Sequence, residues 1–313
     1  MSADLKQLGP YRLLRPLGQG GMAKIYLAEA FGASNFEKRV VIKVLLPELR
    51  GDATFERLLI DEALLGAQLQ HRNLVQIHDL GVDRGIYYVR MDYVDGVDLG
   101  DLLARGGALG PALILYLAHE VCIALDYLHD FRDARDRPLG LVHRDVTPSN
   151  ILISRSGEVK LADFGIAKAT MLADVTRAKV LKGKYAYMSP EQIEGQALDP
   201  RSDQFSLGVT LYELATGTRP FEGDTPIATM DLVRAAALPS LDGVDSALQP
   251  LITRCLKRQS AERFESVETL RRAVGLAQRA LAEVGPRTLG AEVIARTAIE
   301  TAAKKRPETT QAD

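Results

Sequence analysis

Residues 142–152 read Val-His-Arg-Asp-Val-Thr-Pro-Ser-Asn-Ile-Leu, and Asp-Phe-Gly follows at residues 163–165. Asp145, Asn150 and Asp163 thus place one carboxylate, one amide and a second carboxylate on two loops joined by a short predicted hairpin. A carboxylate can accept a proton from a hydroxyl group, and the other two side chains offer the oxygen ligands that Mg²⁺ prefers. The pattern predicts a site for a magnesium-bound phosphate beside a hydroxyl-bearing substrate.

A glycine-rich segment, Leu-Gly-Gln-Gly-Gly-Met-Ala-Lys-Ile at residues 17–25, lies between two predicted strands. Glycine has no Cβ, so backbone amides in such a turn can approach a phosphate group. Alone the segment is weak evidence, because Ala23 replaces the third glycine of Gly-x-Gly-x-x-Gly and glycine turns are common in hairpins. A strand follows it instead of a helix, which disfavours a dinucleotide-binding Rossmann turn.

Lys43 ends the apolar run that begins at Val40 on the third predicted strand. A lysine in a buried strand needs an acidic partner, because an unpaired buried charge is costly. Spacing favours Glu62 on the following helix over Glu56 and Asp61, and the paired ammonium could then hold the phosphates of a nucleotide. The competing interpretation is an exposed lysine on an edge strand.

The order of predicted elements indicates an α+β protein with two unequal lobes. Strand patterns lie at residues 11–17, 24–30, 39–45, 75–80 and 86–92, with one helix at 55–69. Helical patterns lie at residues 111–131, 201–216, 247–257 and 267–281, and a further candidate helix covers 289–304. We therefore expect a strand-rich lobe (residues 1–94), a larger helical lobe (95–280) and a helical or disordered tail (281–313), with a ligand-binding cleft between the lobes.

Composition excludes several classes of protein. The 313 residues, 46% of them hydrophobic, can fill one large or two modest domains. The net charge of −2 carries no signature of polyanion binding, so nucleic acid is not expected as a partner. Cys122 and Cys255 are the only cysteines and lie far apart, which predicts neither a disulfide framework nor a metal site and fits a reducing cytoplasm.

No membrane anchor is expected from this sequence. The N-terminus lacks the pattern of a signal peptide. The most apolar stretch, residues 111–128, is interrupted by His119, Glu120 and Asp126. A buried core helix is therefore expected there, not a membrane span.

A series of motifs appears in a fixed order along the chain: the glycine loop, Val-Val-Ile-Lys at 40–43, Glu62, His-Arg-Asp at 143–145 with Asn150, Asp-Phe-Gly at 163–165, Ser-Pro-Glu at 189–191, Asp203 and Arg263. In this series, residues 10–275 resemble the eukaryotic-like protein kinase family, and most closely its bacterial serine/threonine kinases. The resemblance implies the two-lobed kinase fold and ATP with Mg²⁺ or Mn²⁺ as cofactors. It further implies phosphoryl transfer to serine or threonine hydroxyls of proteins, including the kinase itself in trans, in cytoplasmic signalling; the oligomeric state stays open.

The resemblance also implies a role for each matching residue. Asp145 would be the catalytic base, and Asn150 with Asp163 would hold the metal ion. Lys43, paired with Glu62, would position the phosphates. The residues expected around the nucleotide are Leu17, Gly18, Gln19, Gly20, Gly21, Met22, Ala23, Lys24, Ile25, Val41, Lys43, Met91, Asp92, Val94, Asp98 and Leu152. In the larger lobe, a buried Glu191–Arg263 pair would brace the fold, and Asp203 would tie the catalytic loop to its helix.

Two positions depart from the family pattern together. Serine/threonine kinases usually carry lysine where this chain has Thr147, and threonine where it has Lys184. The missing lysine would neutralise the transferring phosphate, in a reaction that depends on positioning and electrostatics. We hypothesise that Lys184 delivers this charge and that Thr147 supplies the hydroxyl. The alternative is a degraded site, with Lys184 solvated, in a pseudokinase scaffold that acts by binding nucleotide or partners.

Gly66 is a third departure, because the family often has a large apolar side chain there that stacks on Phe164. The helix that carries Glu62 is therefore expected to be weakly held, unless Met91 fills the notch. A small-molecule kinase is disfavoured, since the Ser-Pro-Glu motif and Arg263 belong to the protein-substrate lobe. Tyrosine is disfavoured as the acceptor because the proline at 148 fits the serine/threonine pattern, although the residues at 147 and 184 do not.

Regulation by phosphorylation is indicated by Arg144, which precedes the catalytic aspartate. Its guanidinium could pair with a phosphate on the activation loop. Thr176, flanked by Arg177 and Lys179, is the preferred acceptor, and Thr170 is the other candidate.

Overall fold

A computed structural model of the protein describes residues 5–31, 37–163 and 184–303, with side chains up to residue 298. The strands are β1 (Gln7–Leu8), β2 (Tyr11–Gln19), β3 (Ala23–Phe31), β4 (Glu37–Leu45), β5 (Ile77–Asp83), β6 (Ile86–Asp92), β7 (Gly96–Asp98), β8 (Ile151–Ser154) and β9 (Val159–Leu161). The helices are α1 (Ala53–Gly66), α2 (Leu99–Gly106), α3 (Pro111–His129), α4 (Pro190–Ile193), α5 (Arg201–Thr216), α6 (Pro226–Ala235), α7 (Gln249–Cys255), α8 (Val267–Gln278) and α9 (Pro286–Ala303).

The smaller lobe is an antiparallel sheet in the order β1-β2-β3-β4-β6-β5, with α1 packed on one face. Successive side chains of a strand point to opposite faces, and β4 shows what this alternation achieves. Val40, Ile42 and Val44 are buried in one apolar cluster, together with tyrosines from β2, β3 and β6. Val41 and Lys43 lie on the opposite face, which looks into the cleft.

Helix α1 is anchored at both ends. At its start, the Asp52 side chain accepts a hydrogen bond from the backbone amide of Thr54. At its end, a Cβ on Gly66 would lie 2.4 Å from Cδ1 of Ile77, so this side chain of β5 already fills the notch. The expectation that Met91 fills it is wrong, and Phe164 lies outside the described residues. Glycine at 66 lets the helix approach the sheet closely.

Helix α3 is the central helix of the larger lobe. Among the described residues it is the one helix long and apolar enough to span a membrane by length and composition. Ten of its side chains are buried, and it packs against α5 and α8. It is therefore a core helix, as the sequence predicted.

An ion pair is buried at the base of the larger lobe. Arg263 Nη1 and Nη2 lie 2.6 and 2.9 Å from the two carboxylate oxygens of Glu191 on α4. Burial alone would raise the pKa of Glu191, but the hydrogen bonds and charge of Arg263 outweigh burial and hold it below its ordinary value. Ser189 and Gln192 form a capping box at the start of the same helix. The predicted brace is confirmed.

The lobes are joined through residues 92–98, which enter the small sheet β7-β8-β9. Gly96 pairs with Ser154 there, and a Cβ on Gly96 would lie 1.8 Å from the carbonyl oxygen of Ile153. Only glycine permits this approach of the connecting segment to β8. The segment reaches the cleft that the sequence predicts between the two lobes.

Candidate active site

Asp203 of α5 holds the loop of residues 143–150, which carries Asp145 and Asn150. Its carboxylate accepts hydrogen bonds of 2.8 Å from the backbone amides of His143 and Arg144, and it lies 2.8 Å from Nε2 of His129. Burial would raise the pKa of Asp203, but the hydrogen bond from His129 and further contacts lower it below the ordinary value. Arg144 has a φ of +68°, a left-handed conformation that these contacts support. The predicted role of Asp203 is confirmed, whereas that of His129 was not foreseen.

Asp145 and Asn150 are fixed in one rigid loop. Both are nearly fully buried, and Asn150 donates its side-chain amide to the backbone carbonyl of Asp145 at 2.9 Å. The backbone carbonyl of Asn150 accepts from the amide of Ala162 at 2.8 Å, next to Asp163. The amide and the two carboxylates named in the sequence are therefore brought to one site by these backbone contacts.

Lys43 connects both lobes at the back of the cleft. Its Nζ lies 2.6 Å from Oε1 of Glu62 and 2.8 Å from Oδ1 of Asp163. Burial alone would lower the pKa of Lys43, but the two carboxylates outweigh burial and raise it. Burial also favours the neutral form of Asp163, yet the Lys43 charge holds its pKa below the ordinary value. The buried Lys43–Glu62 pair is the one that spacing predicted.

The donor set fits a phosphate-bound divalent cation. Asp163 and Asn150 line the same cavity and offer hard oxygen ligands. Within residues 5–31, 37–163 and 184–303, no group of three or more histidine, cysteine or acidic side chains forms a complete metal cage. Such a cage is not needed, because Mg²⁺ is usually held by one or two carboxylates together with substrate phosphates.

A cavity of about 370 Å³ lies between the lobes. Of the residues predicted around the nucleotide, those that line it are Leu17, Gly18, Ile25, Val41, Met91, Asp92, Val94, Asp98 and Leu152. Apolar side chains come from both lobes and could enclose a flat ring, with the backbone of the connecting segment at its edge. The predicted adenine region is therefore assembled as one concave surface.

Part of the glycine loop lies outside this cavity, because Gly20, Met22, Ala23 and Lys24 do not line it. The amide of Gly20 donates to the carbonyl of Ala23 at 2.8 Å, which closes the turn between β2 and β3. Met22 and Ala23 are buried in a second apolar cluster, on the α1 side of the sheet, which also includes Tyr185 and Met188 of the larger lobe. The ammonium of Lys24 lies 5.0 Å from the ring centre of Tyr26. Gln19 and Gly21 are likewise absent from the lining.

Sequence reasoning missed other residues of this cavity. Val75 and Ala162 line it, and only their positions beside recognised motifs could have indicated this. Asp101 and Arg105 line it from α2. They could not be placed because helix α2 itself was not predicted.

Lys184 contacts the carboxylate of Asp145. Its Nζ lies 2.9 Å from Oδ2 of Asp145, and its side chain is about one third exposed. The Thr147 hydroxyl lies 3.1 Å from that of Ser149. Lys184, Thr147 and Ser149 line a second cavity of about 440 Å³, which Glu213 also lines. The structure thus places Thr147 and Lys184 at one cavity, with Lys184 in contact with Asp145.

The phosphorylation candidates Thr170 and Thr176 lie outside the described residues. Nε of Arg144 is buried and has no hydrogen-bond partner in the part of the chain that the structure describes. A buried guanidinium nitrogen without a partner is costly, so a phosphate acceptor would stabilise it. Phosphorylation of the activation loop stays a prediction.

Comparison with known proteins gives consistent matches. Residues 11–274 match the family described as the protein kinase domain. The tyrosine-protein kinase MasK of Myxococcus xanthus is 38% identical over 84% of this chain and 42% of its own length. The serine/threonine-protein kinase PrkC of Bacillus subtilis is 34% identical, over 84% of this chain and 39% of its own length.

A solved structure also matches, that of a mutant of the PknI kinase domain of Mycobacterium tuberculosis. It is 29% identical, with a TM-score of 0.65, and the match covers 88% of this chain and 99% of that one. The chain spans less than half the length of the curated relatives named above.

Proposed function

The chain belongs to the protein kinase family, and we propose that it is an active kinase that transfers the γ-phosphoryl group of ATP to serine or threonine hydroxyls of proteins. One observation carries the proposal: Lys43 contacts Glu62 and Asp163 at the same time. This is the arrangement in which an ammonium can clamp nucleotide phosphates beside a metal-binding carboxylate. Protein kinases in general use ATP and a divalent metal ion, and we propose Mg²⁺ or Mn²⁺ here.

The chemistry assigns one task to each side chain. Asp145 accepts the proton of the substrate hydroxyl while the oxygen of that hydroxyl forms a bond to the γ-phosphorus. The bond from that phosphorus to the bridging oxygen breaks, and its electron pair leaves with ADP. Asn150 and Asp163 would hold the divalent metal ion, which would supply positive charge to the phosphate oxygens. The 440 Å³ cavity, lined by Thr147 and by Lys184, which contacts Asp145, is proposed to receive the acceptor side chain.

Lys184 is proposed as the cation for the transferring phosphoryl group. Its ammonium lies against the catalytic carboxylate, where the acceptor hydroxyl and the γ-phosphate must meet. A preorganised positive charge at this point stabilises the charge that develops in the transition state. The contact supports an exchange of roles between positions 147 and 184, and it opposes a pseudokinase in which Lys184 is merely solvated.

Serine and threonine are the proposed acceptors because PrkC is named a serine/threonine-protein kinase and the catalytic loop carries Pro148. Tyrosine is the second candidate, because MasK is named a tyrosine-protein kinase. The proposal includes phosphorylation of the kinase by itself in trans and activity in the cytoplasm, where ATP and reduced cysteines coexist.

Labelled ATP with Mg²⁺ or Mn²⁺ tests the proposal on the purified protein. We expect label on the wild type and none on Asp145→Asn. Asp136→Asn, an exposed carboxylate of the loop after α3, is the matched control and should label like the wild type. Acid hydrolysis of the labelled protein should yield phosphoserine or phosphothreonine, and phosphotyrosine alone would select the second candidate. Equal labelling of Asp145→Asn and wild type, or none in either, would refute the active kinase.

A further inference from the structure

Helix α9 lies beyond the kinase domain proper, whose match ends at residue 274. Even so, it is built into the larger lobe, because Leu289 and Val293 are completely buried in its core. A Cβ on Gly290 would lie 2.5 Å from the carbonyl oxygen of Arg155, so the helix approaches the β8–β9 turn at backbone distance. The sequence had assigned no chemistry to this segment.

Arg296 carries the polar contacts of the helix. Its Nη1 donates to the carbonyl oxygens of Leu102 and Gly107 at 3.0 and 2.9 Å. Its Nη2 lies 3.4 Å from the carbonyl oxygen of Ala108, and its Nε contacts Glu292 at 2.7 Å. Leu102 lies within α2, Gly107 is its C-cap and Ala108 follows, so the guanidinium sits at the carboxyl end of the helix, where the dipole is negative. A buried guanidinium therefore caps α2.

Helix α2 borders the nucleotide cavity along its length. Asp98 caps its amino end, accepting from the amide of Asp101 at 2.8 Å. Asp98, Asp101 and Arg105 all line the cavity. Helix α9 also contacts β8, the strand that brings Leu152 to the adenine region. A displacement of α2 would therefore move one wall of the cavity.

We propose that Arg296 is a positioning residue for the nucleotide site, through which α9 fixes the wall formed by α2. The proposal rests on the proposed function, in which this cavity binds ATP. Arg296 does not itself line the cavity, so its effect on nucleotide affinity passes through α2. Helix α2 also contacts the loop at Pro148–Asn150, so ADP affinity, and not kcat, is the readout that isolates this wall of the cavity.

Calorimetric titration with Mg²⁺-ADP, together with steady-state kinetics, tests this role. In Arg296→Ala we expect the Kd for ADP and the KM for ATP to rise about fivefold or more. Arg296→Lys should recover part of the affinity, because an ammonium can still donate to the carboxyl end of α2. Arg272→Ala, which removes an exposed arginine paired with Glu268 on α8, is the control and should bind ADP like the wild type.

A glycine provides an independent route to the same contact. A Cβ on Gly106 would lie 2.6 Å from Cζ of Arg296, so Gly106→Ala should push the guanidinium off α2 and weaken ADP binding. The double variant Gly106→Ala/Arg296→Ala should bind no more weakly than Arg296→Ala alone. Gly275→Ala, on α8 with open space around it, is the matched control.

The outcomes separate the two proposals. Absence of ADP binding in the wild type would refute the proposed nucleotide site itself. ADP affinity within about twofold of wild type in both Arg296→Ala and Gly106→Ala, even with lowered melting temperatures, would overturn the role of Arg296 alone. If Arg296→Ala does not fold, Arg296→Lys and Gly106→Ala decide the question by the same criterion.

Discussion

Replacing Lys184 by alanine should lower kcat for phosphoryl transfer about 100-fold and leave the KM for ATP nearly unchanged. The magnitude follows from the position of the ammonium, 2.9 Å from Oδ2 of Asp145 and about one third exposed. We treat the ammonium and the charge that develops on the transferring phosphoryl group as two unit charges about 4 Å apart, which interact by about 4 kcal/mol at an effective dielectric constant of about 20. Partial exposure reduces this to ~3 kcal/mol, and each ~1.4 kcal/mol is a factor of about ten in rate.

The assay is initial-rate transfer of labelled phosphate at saturating ATP, with melting temperature as a control for folding. Lys160→Ala is the matched control, since that lysine contacts a backbone carbonyl away from the catalytic loop and its loss should not change kcat. The double variant Thr147→Lys/Lys184→Thr restores the arrangement usual in the family. Its kcat should be at least about tenfold higher than that of Lys184→Thr alone.

The reasoning about Lys184 fails if Lys184→Ala retains kcat within about threefold of wild type while labelling still requires Asp145. A large rise in the KM for ATP at constant kcat would also contradict it, because the charge would then act equally on the ground state and the transition state.

Three further predictions concern stability, measured as the free energy of unfolding in urea. Arg263→Ala should cost about 3–5 kcal/mol, because its buried carboxylate partner is left unpaired; a loss under about 1 kcal/mol would contradict this. The pKa of Asp203 in the folded protein lies below its ordinary 3.8, owing in part to His129. The stabilisation by its carboxylate is therefore complete above about pH 3.8 and is lost as the pH falls from there through the folded pKa. The deficit of Asp203→Asn should therefore be larger at about pH 7 than at about pH 3, and an equal deficit would refute the assignment. Gly66→Ala should destabilise by ~1 kcal/mol in the wild type but stabilise in an Ile77→Val background, where the clashing methyl is gone; the same sign in both would exclude the clash.

Local patterns in the sequence predicted much of the framework. Helix α5 and strand β6 have the predicted bounds, because alternation and helical spacing record which face of an element is buried. The pairing of Lys43 with Glu62 was also predictable, since a buried ammonium requires a partner and few acids lie at a suitable distance along the chain. Helix α2 was missed, being only 8 residues long, a length over which helical periodicity is weak.

The sequence by itself determined the family and the residues able to perform the chemistry, because both depend on residue types in a fixed order. Only the tertiary structure decided the contact of Lys184 with Asp145, Ile77 in the notch at Gly66 and the capping of α2 by Arg296. These contacts join residues that are distant along the chain. Their distances depend on how loops and helices pack around a shared core, and no local periodicity records that packing.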